Sequence, residues 1–254
     1  MKKRHLSLFL FAVLAVTLTS FMALPQNGLR DAAKSTGYTA LLVGALVTLA
    51  LAVFISSFDE SMQSSKGIAL TSILGTLSAV SRVPFGALPS VQPSTYLIIC
   101  SGYVFGPVAG FTVGALTPLI SNFFLGHGPW TPYQMVAWGL AGASASLFRR
   151  FKPRRWWLMC FGVCWGYIFG VIMNVWFWAS FVYPLTLATF AASQGRSLLF
   201  DTLHAVGNAA FLGTLGLRTI RIFDRYKKRF NVQVNNELEA ELPRLISEQP
   251  IGRR

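Results

Sequence analysis

The chain has 254 residues, 53% of them hydrophobic and only 12% charged, with a mean hydropathy of +0.52, a balance that excludes a soluble globular domain and describes an integral membrane protein. Twenty-two Lys and Arg against nine Asp and Glu leave a formal charge of +13. The basic residues gather in short runs at the edges of apolar segments, so membrane topology accounts for them and nucleic acid is not implied.

Met1-Lys2-Lys3-Arg4-His5 precedes an apolar run from Leu6 to Leu24, long enough at about 1.5 Å per residue to cross about 30 Å of hydrocarbon. The basic start suits a first span or a signal peptide; the small-x-small cleavage pattern is poor near Ser20 to Ala23, which favours an uncleaved helix. A second span follows from Tyr38 to Ile55. The hydrophilic linker Phe58 to Lys66, carrying Asp59 and Glu60, then sets a domain boundary. Residues 1–66 are thus expected to be a two-helix membrane extension.

Six apolar segments follow: Gly67 to Ser81, Ser94 to Phe105, Val108 to Leu125, Tyr133 to Phe148, Trp156 to Trp178 and Ser197 to Leu217. Ser94 to Phe105 reaches only about 18 Å as a helix. Charge nonetheless argues that it crosses. Eight crossings that start inside at Lys2-Lys3-Arg4 leave the cluster from Arg149 to Arg155 and the run from Arg218 to Arg229 inside, and one crossing fewer puts both outside. The expectation is an all-α, polytopic protein of the cell membrane with both termini cytoplasmic. Its six-helix domain covers 67–217, and a basic cytoplasmic tail that suits anionic lipid headgroups covers 218–254. That tail turns mildly acidic around Glu237, Glu239 and Glu241.

Small residues recur at intervals of four: Gly102, Gly106, Gly110 and Gly114; Ala137, Ala141 and Ala145; Gly162, Gly166 and Gly170. Such faces let helix backbones approach closely and predict a compact bundle, with a break at Pro107. Cys160 and Cys164, also four apart and not a Cys-x-x-Cys pair, read as packing residues. Gly75 and Ala79 repeat the spacing once, for packing within the chain or against a partner.

On the outward side this topology places Arg82 to Pro93, Gly126 to Pro132 and Ala179 to Arg196. The first holds Pro84, Pro89 and Pro93; the second is bounded by Gly126, Gly128, Pro129 and Pro132. Both are ordered, irregular connections able to cap a cavity. The first, together with the stretch Ser121 to Met135 around the second, supplies Arg82, Gln92, Asn122, His127, Trp130, Tyr133 and Gln134 where an external solute arrives. Alternatively, Trp130 sits at the lipid boundary and Arg82 snorkels to a headgroup.

These runs resemble the substrate-binding S components of energy-coupling factor (ECF) vitamin transporters. The resemblance covers roughly Gly67 to Arg229 and rests on Arg82-Val83-Pro84-Phe85, Val91-Gln92-Pro93, Gly102-Tyr103-Val104-Phe105-Gly106-Pro107, Ser121-Asn122-Phe123-Phe124-Leu125-Gly126, and Gly128-Pro129-Trp130-Thr131-Pro132 with Gln134-Met135. It implies a six-helix, non-catalytic binding subunit without its own ATPase or cofactor, working with a transmembrane coupling subunit and two ATP-hydrolysing subunits. It also implies a partner-binding face of small residues on the first core helix, here Gly75 and Ala79. The two N-terminal helices depart from the minimal pattern. The aromatic content admits a large planar vitamin or a cobalamin-like corrinoid, and the resemblance leans toward the latter.

Asp201, His204 and Asn208 follow at i, i+3 and i+7 on one face of the last helix, with Asn174 and Trp178 on the helix before it. Buried polar groups in a membrane usually face the bundle interior and have partners. The three residues are read as a ligand-binding or helix-tying clamp. An acid–histidine pair in a membrane enzyme is the alternative, unsupported by any nucleophile motif, metal spacing or phosphate loop. A structural membrane protein without a small ligand is the third possibility.

Overall fold

Proline and glycine punctuate the chain where they leave a helix no other course. A computed structural model describes residues 65–229, which form six helices and no strand. They are α1 Ser65–Arg82, α2 Ser94–Phe105, α3 Pro107–Leu125, α4 Thr131–Ala145, α5 Arg155–Phe181 and α6 Leu187–Phe211. Short 3-10 turns, Val83–Phe85 and Ser146–Arg150, extend α1 and α4. Helix α6 passes through a wide π segment, Leu212–Gly216, and resumes over 217–229. The two expected N-terminal spans, most of the linker after them and the acidic end of the tail lie outside the described residues.

Four helical stretches are long and apolar enough to cross a membrane: Gly67–Phe85, Pro107–Leu125, Arg155–Phe181 and Leu187–Arg229. The short α2 is the centre of the bundle. Every residue from Ser94 to Val104 except Tyr96 is buried, so protein on all sides, and not lipid, surrounds this helix. Its hinge to α3 is a single residue, Gly106, at φ 104°, a backbone conformation that a side chain resists; Pro107 then opens α3 with its fixed φ and no need of a donor.

The spaced small residues bring three helices together backbone to backbone. A β-carbon at Gly102 of α2 would fall on the carbonyl oxygen of Gly142 in α4, and one at Gly142 on the carbonyl of Gly110 in α3. Gly166 of α5 meets the backbone of Ala205 in α6 in the same way, while Gly162 and Gly170 take the side chains of Leu212 and Asp201, which makes α5 and α6 a close-packed hairpin. Apolar clusters built on Ile99, Val104, Leu158 and Leu212, and on Leu74, Ile98, Val113 and Trp138, complete the interior.

Two boundaries differ from the sequence expectation. The connection between α5 and α6 is not Ala179 to Arg196 but residues 182–186, because α6 begins ten residues earlier. Thr186 and Thr189 cap it reciprocally: each hydroxyl accepts the other residue's backbone N–H, at 3.2 and 3.1 Å. At the other end the helix does not stop at Leu217. It continues through the basic run, where Lys227 Nζ donates to the carbonyl of Val104 at 2.6 Å, satisfying one of the carbonyls that the end of α2 leaves open.

The bundle therefore has a polar end, where α1 and α3 finish and α4 begins, and a basic end with Arg149, Arg150, Lys152, Arg154, Arg155 and the 217–229 helix. Between them, Asn208, Leu212, Gly216 and Ile220 of α6 are all buried at intervals of four.

Candidate functional site

Arg82, the last residue of α1, is only 7% exposed. Its Nε donates to Gln92 Oε1 at 2.6 Å, and its Nη1 donates to Ser121 Oγ at 2.7 Å and Asn122 Oδ1 at 2.8 Å. The guanidinium carbon lies 4.8 Å from the centre of the Trp138 ring, a cation–π distance. Asn122 passes the network on: its Nδ2 donates to Thr131 Oγ1 at 3.0 Å and Gln134 Oε1 at 2.9 Å. Thr131 Oγ1 in turn stands 3.4 Å from Nδ1 of the exposed His127.

Local backbone rules make this convergence possible. Gly126, at φ 98°, ends α3 directly after the turn that presents Ser121 and Asn122. Pro132, in the first turn of α4, fixes the entry that presents Thr131 and Gln134. Among the described residues the only acids are Asp201 and Asp224, and neither bonds to Arg82. A buried cation is here held by neutral oxygens and a ring face alone.

A second layer lies beneath the arginine. Trp138 Nε1 donates to Thr95 Oγ1 at 3.0 Å, and the same hydroxyl lies 3.0 Å from His204 Nε2. Phe169 packs against both rings, with centroids 4.7 Å from Trp138 and 4.8 Å from His204. Replacing Thr95 by valine keeps the shape and removes the shared oxygen, leaving two buried groups without it. We expect a loss of about 1–3 kcal/mol of stability, read as a lower thermal unfolding midpoint of the purified protein, with Thr95→Ser close to wild type.

The polar face of α6 divides among separate partners. Asp201 Oδ2 accepts from Gln194 Nε2 and Ser197 Oγ, both at 2.8 Å, while Asn174 Nδ2 donates to Gln194 Oε1 at 2.9 Å and Ser197 Oγ at 2.6 Å. Asp201 and His204 are thus each bonded elsewhere, not to one another. Asn208, fully buried, donates to the carbonyl of Gly162 at 3.1 Å, and among the described residues its Oδ1 has no partner. Among the described residues no three His, Cys, Asp or Glu side chains gather as a metal-ion cluster.

The aromatic candidates sit at the same polar end. Trp130 meets Trp176 edge-on at 5.6 Å, and Trp178 Nε1 donates to Thr189 Oγ1 at 2.9 Å. Tyr133 is buried, and among the described residues its hydroxyl has no partner.

A family profile described as "ECF transporter, substrate-specific component" matches residues 66–215, the whole six-helix bundle as far as the π segment. The chain belongs to the ECF substrate-specific components. It is accordingly a substrate-specific, membrane-embedded, multi-pass subunit of a kind that works with a transmembrane component and ATPase subunits. No curated protein and no solved structure matches the chain.

In this S component Gly75 and Ala79 face inward: a β-carbon at Gly75 would meet Leu116 of α3, and Ala79 is fully buried. Their spacing is used within the bundle, and the outer surface of α1 carries Ile68, Ile73, Leu77 and Val80 instead. Six residues join the polar networks without having been singled out from the sequence: Thr95, Ser121, Thr131, Trp138, Gln194 and Ser197. Three of them carried a signal. Trp138 lies one turn beyond Gln134, and Ser197 and Gln194 lie four and seven residues before Asp201, on its face of the helix.

Proposed function

We propose that this S component captures a vitamin-like micronutrient at the polar end of its bundle and passes it to an ATP-driven transporter. The observation that carries the reading is Arg82. A buried guanidinium without a carboxylate is a costly arrangement in a membrane protein, and a ligand with an anionic or strongly accepting group offsets that cost when it binds. Nη2 is the donor we assign to the ligand, since Nε and Nη1 serve Gln92, Ser121 and Asn122. Asn122, Gln134 and His127 contribute further polar groups, while Trp130 and Tyr133 favour a ring-bearing molecule, a planar vitamin or a cobalamin-like corrinoid. Asp201, His204, Asn174 and Asn208 support the site from α5 and α6.

Several further points belong to the same reading. The basic clusters face the cytoplasm, the polar end faces outward, and residues 1–66 are not needed for binding. The subunit is non-catalytic, a view supported by the separate bonding of Asp201 and His204; ATP hydrolysis rests with its partners.

The test is gentle purification from the native membrane, mass spectrometry of the retained small molecule, and reconstitution with the coupling and ATPase subunits. Uptake of that molecule is expected to require ATP. Chemical conversion of the molecule, abolished by Asp201→Asn, would replace this reading with the membrane enzyme; absence of any saturable ligand would leave a structural protein.

A further inference from the structure

The basic end of the bundle holds a feature that substrate capture at the polar end does not use. A cavity of about 490 Å³ opens between the C-terminal half of α2, the end of α4 and the start of α5. Its walls are Ile99, Leu158, Phe148 and Phe161, and its rim carries Trp157, Lys152 and Arg154. Among the described residues no acid lines it. The connection that forms the rim is fixed from inside, because the buried Tyr103 donates its hydroxyl to the carbonyl of Phe151.

We propose that this cavity is a binding site for one anionic phospholipid, with an acyl chain between α2, α4 and α5 and the phosphate on Lys152 and Arg154. The level is right for a headgroup: Phe151 and Trp157 are exposed at the same rim and Trp156, next in the chain, is exposed as well, and aromatic side chains beside a basic run mark the membrane–water boundary. The charge is right as well. Lys152 and Arg154 are flanked by Arg149, Arg150 and Arg155, all exposed, and basic pockets between membrane helices select anionic headgroups. The size argues against a protein helix. With a diameter of about 10–12 Å, a helix would fill the volume with little more than one turn, whereas a flexible hydrocarbon chain follows an irregular slot lined by rings and branched side chains. A lipid seated there would also tie α2, α4 and α5 together at the basic end of the bundle.

The experiment uses the full-length protein, purified in mild detergent and offered an equimolar mixture of phosphatidylglycerol and phosphatidylcholine, with retained lipid counted by native mass spectrometry. The wild type is expected to keep one phosphatidylglycerol in preference to phosphatidylcholine. Lys152→Gln with Arg154→Gln, two exposed positions, should lower that occupancy about tenfold or more, the scale set by losing two basic contacts. Arg218→Gln with Arg221→Gln, the same charge change on the 217–229 helix, should leave it unchanged. A second arm, Ala145→Leu, narrows the cavity without touching charge and should reduce retention of both lipids. Equal losses from the two charge pairs would mean unspecific surface attraction and would overturn the proposal. So would wild-type retention without preference, or a loss of assembly with the coupling subunit while lipid occupancy stays intact, which would make the cavity a protein-docking surface.

Discussion

Arg82→Ala is expected to weaken ligand binding by about tenfold to 150-fold, because hydrogen bonds to a buried charged group contribute about 1.5–3 kcal/mol. The substitution removes the cation from the polar network and strands Ser121 Oγ and Asn122 Oδ1, which now accept from it. Arg82→Lys should recover part of the affinity, since it restores the charge but not the planar fork that reaches Gln92, Ser121 and Asn122 together. Asn122→Ala, which cuts the link from Arg82 to Thr131 and Gln134, should fall in the same range. Arg149→Gln and Arg155→Gln, at the opposite end, should bind as wild type. Ligand titration of variants whose unfolding midpoints are preserved decides the matter: unchanged dissociation constants for both Arg82→Ala and Asn122→Ala would remove this site.

The second large effect concerns stability. Gly142→Ala places a methyl group on the carbonyl of Gly110, at a contact made of backbone on both sides. Neither neighbour can rotate away, so α3 and α4 must separate, and we expect a loss of about 1–3 kcal/mol or more. Gly195→Ala is the control. That position lies within α6, exposed, with open space where the β-carbon goes, and alanine there should add about 0.5–1 kcal/mol through its better helical propensity. Thermal unfolding in one detergent should move the two midpoints in opposite directions; equal shifts would show that the α2–α3–α4 contact is not as close as described.

The sequence showed the helices wherever backbone chemistry marks them. Ser94–Phe105 is bounded by Pro93 and by Gly106-Pro107, and its limits can be read directly. The start of α6 could not, because Ser193, Gln194 and Arg196 look like a polar connection. Gln194, with Ser197 after it, in fact turns inward to Asp201, and only the packed hairpin makes that visible. The candidate site divides in the same way. Arg82, Gln92, Asn122 and Gln134 stand in or beside two irregular segments at one end of the chain's zigzag, so topology alone brings them near. Thr95 joins Trp138, 43 residues away, and His204, 109 away, and no spacing along the chain announces a junction of that reach. Asn208 shows the converse: its inward position on α6 was evident, but its donor goes to the Gly162 carbonyl in a helix–helix tie.

The wide turn at Leu212–Gly216 has a mechanical consequence. Inward residues four apart from Asn208 to Ile220 use about one residue more than three turns of α-helix require, at 3.6 per turn. The π segment absorbs that surplus. The half of α6 that carries Asp201 and His204 and the half that carries Ile220 and Lys227 are therefore set at independent rotations about a shared axis. Were the helix α throughout, seating the first half would swing every later side chain by about 100°, and Lys227 would lose the carbonyl of Val104. The segment acts as a phase adjuster: it holds slack that lets the polar end and the basic end of one continuous rod each keep its own alignment.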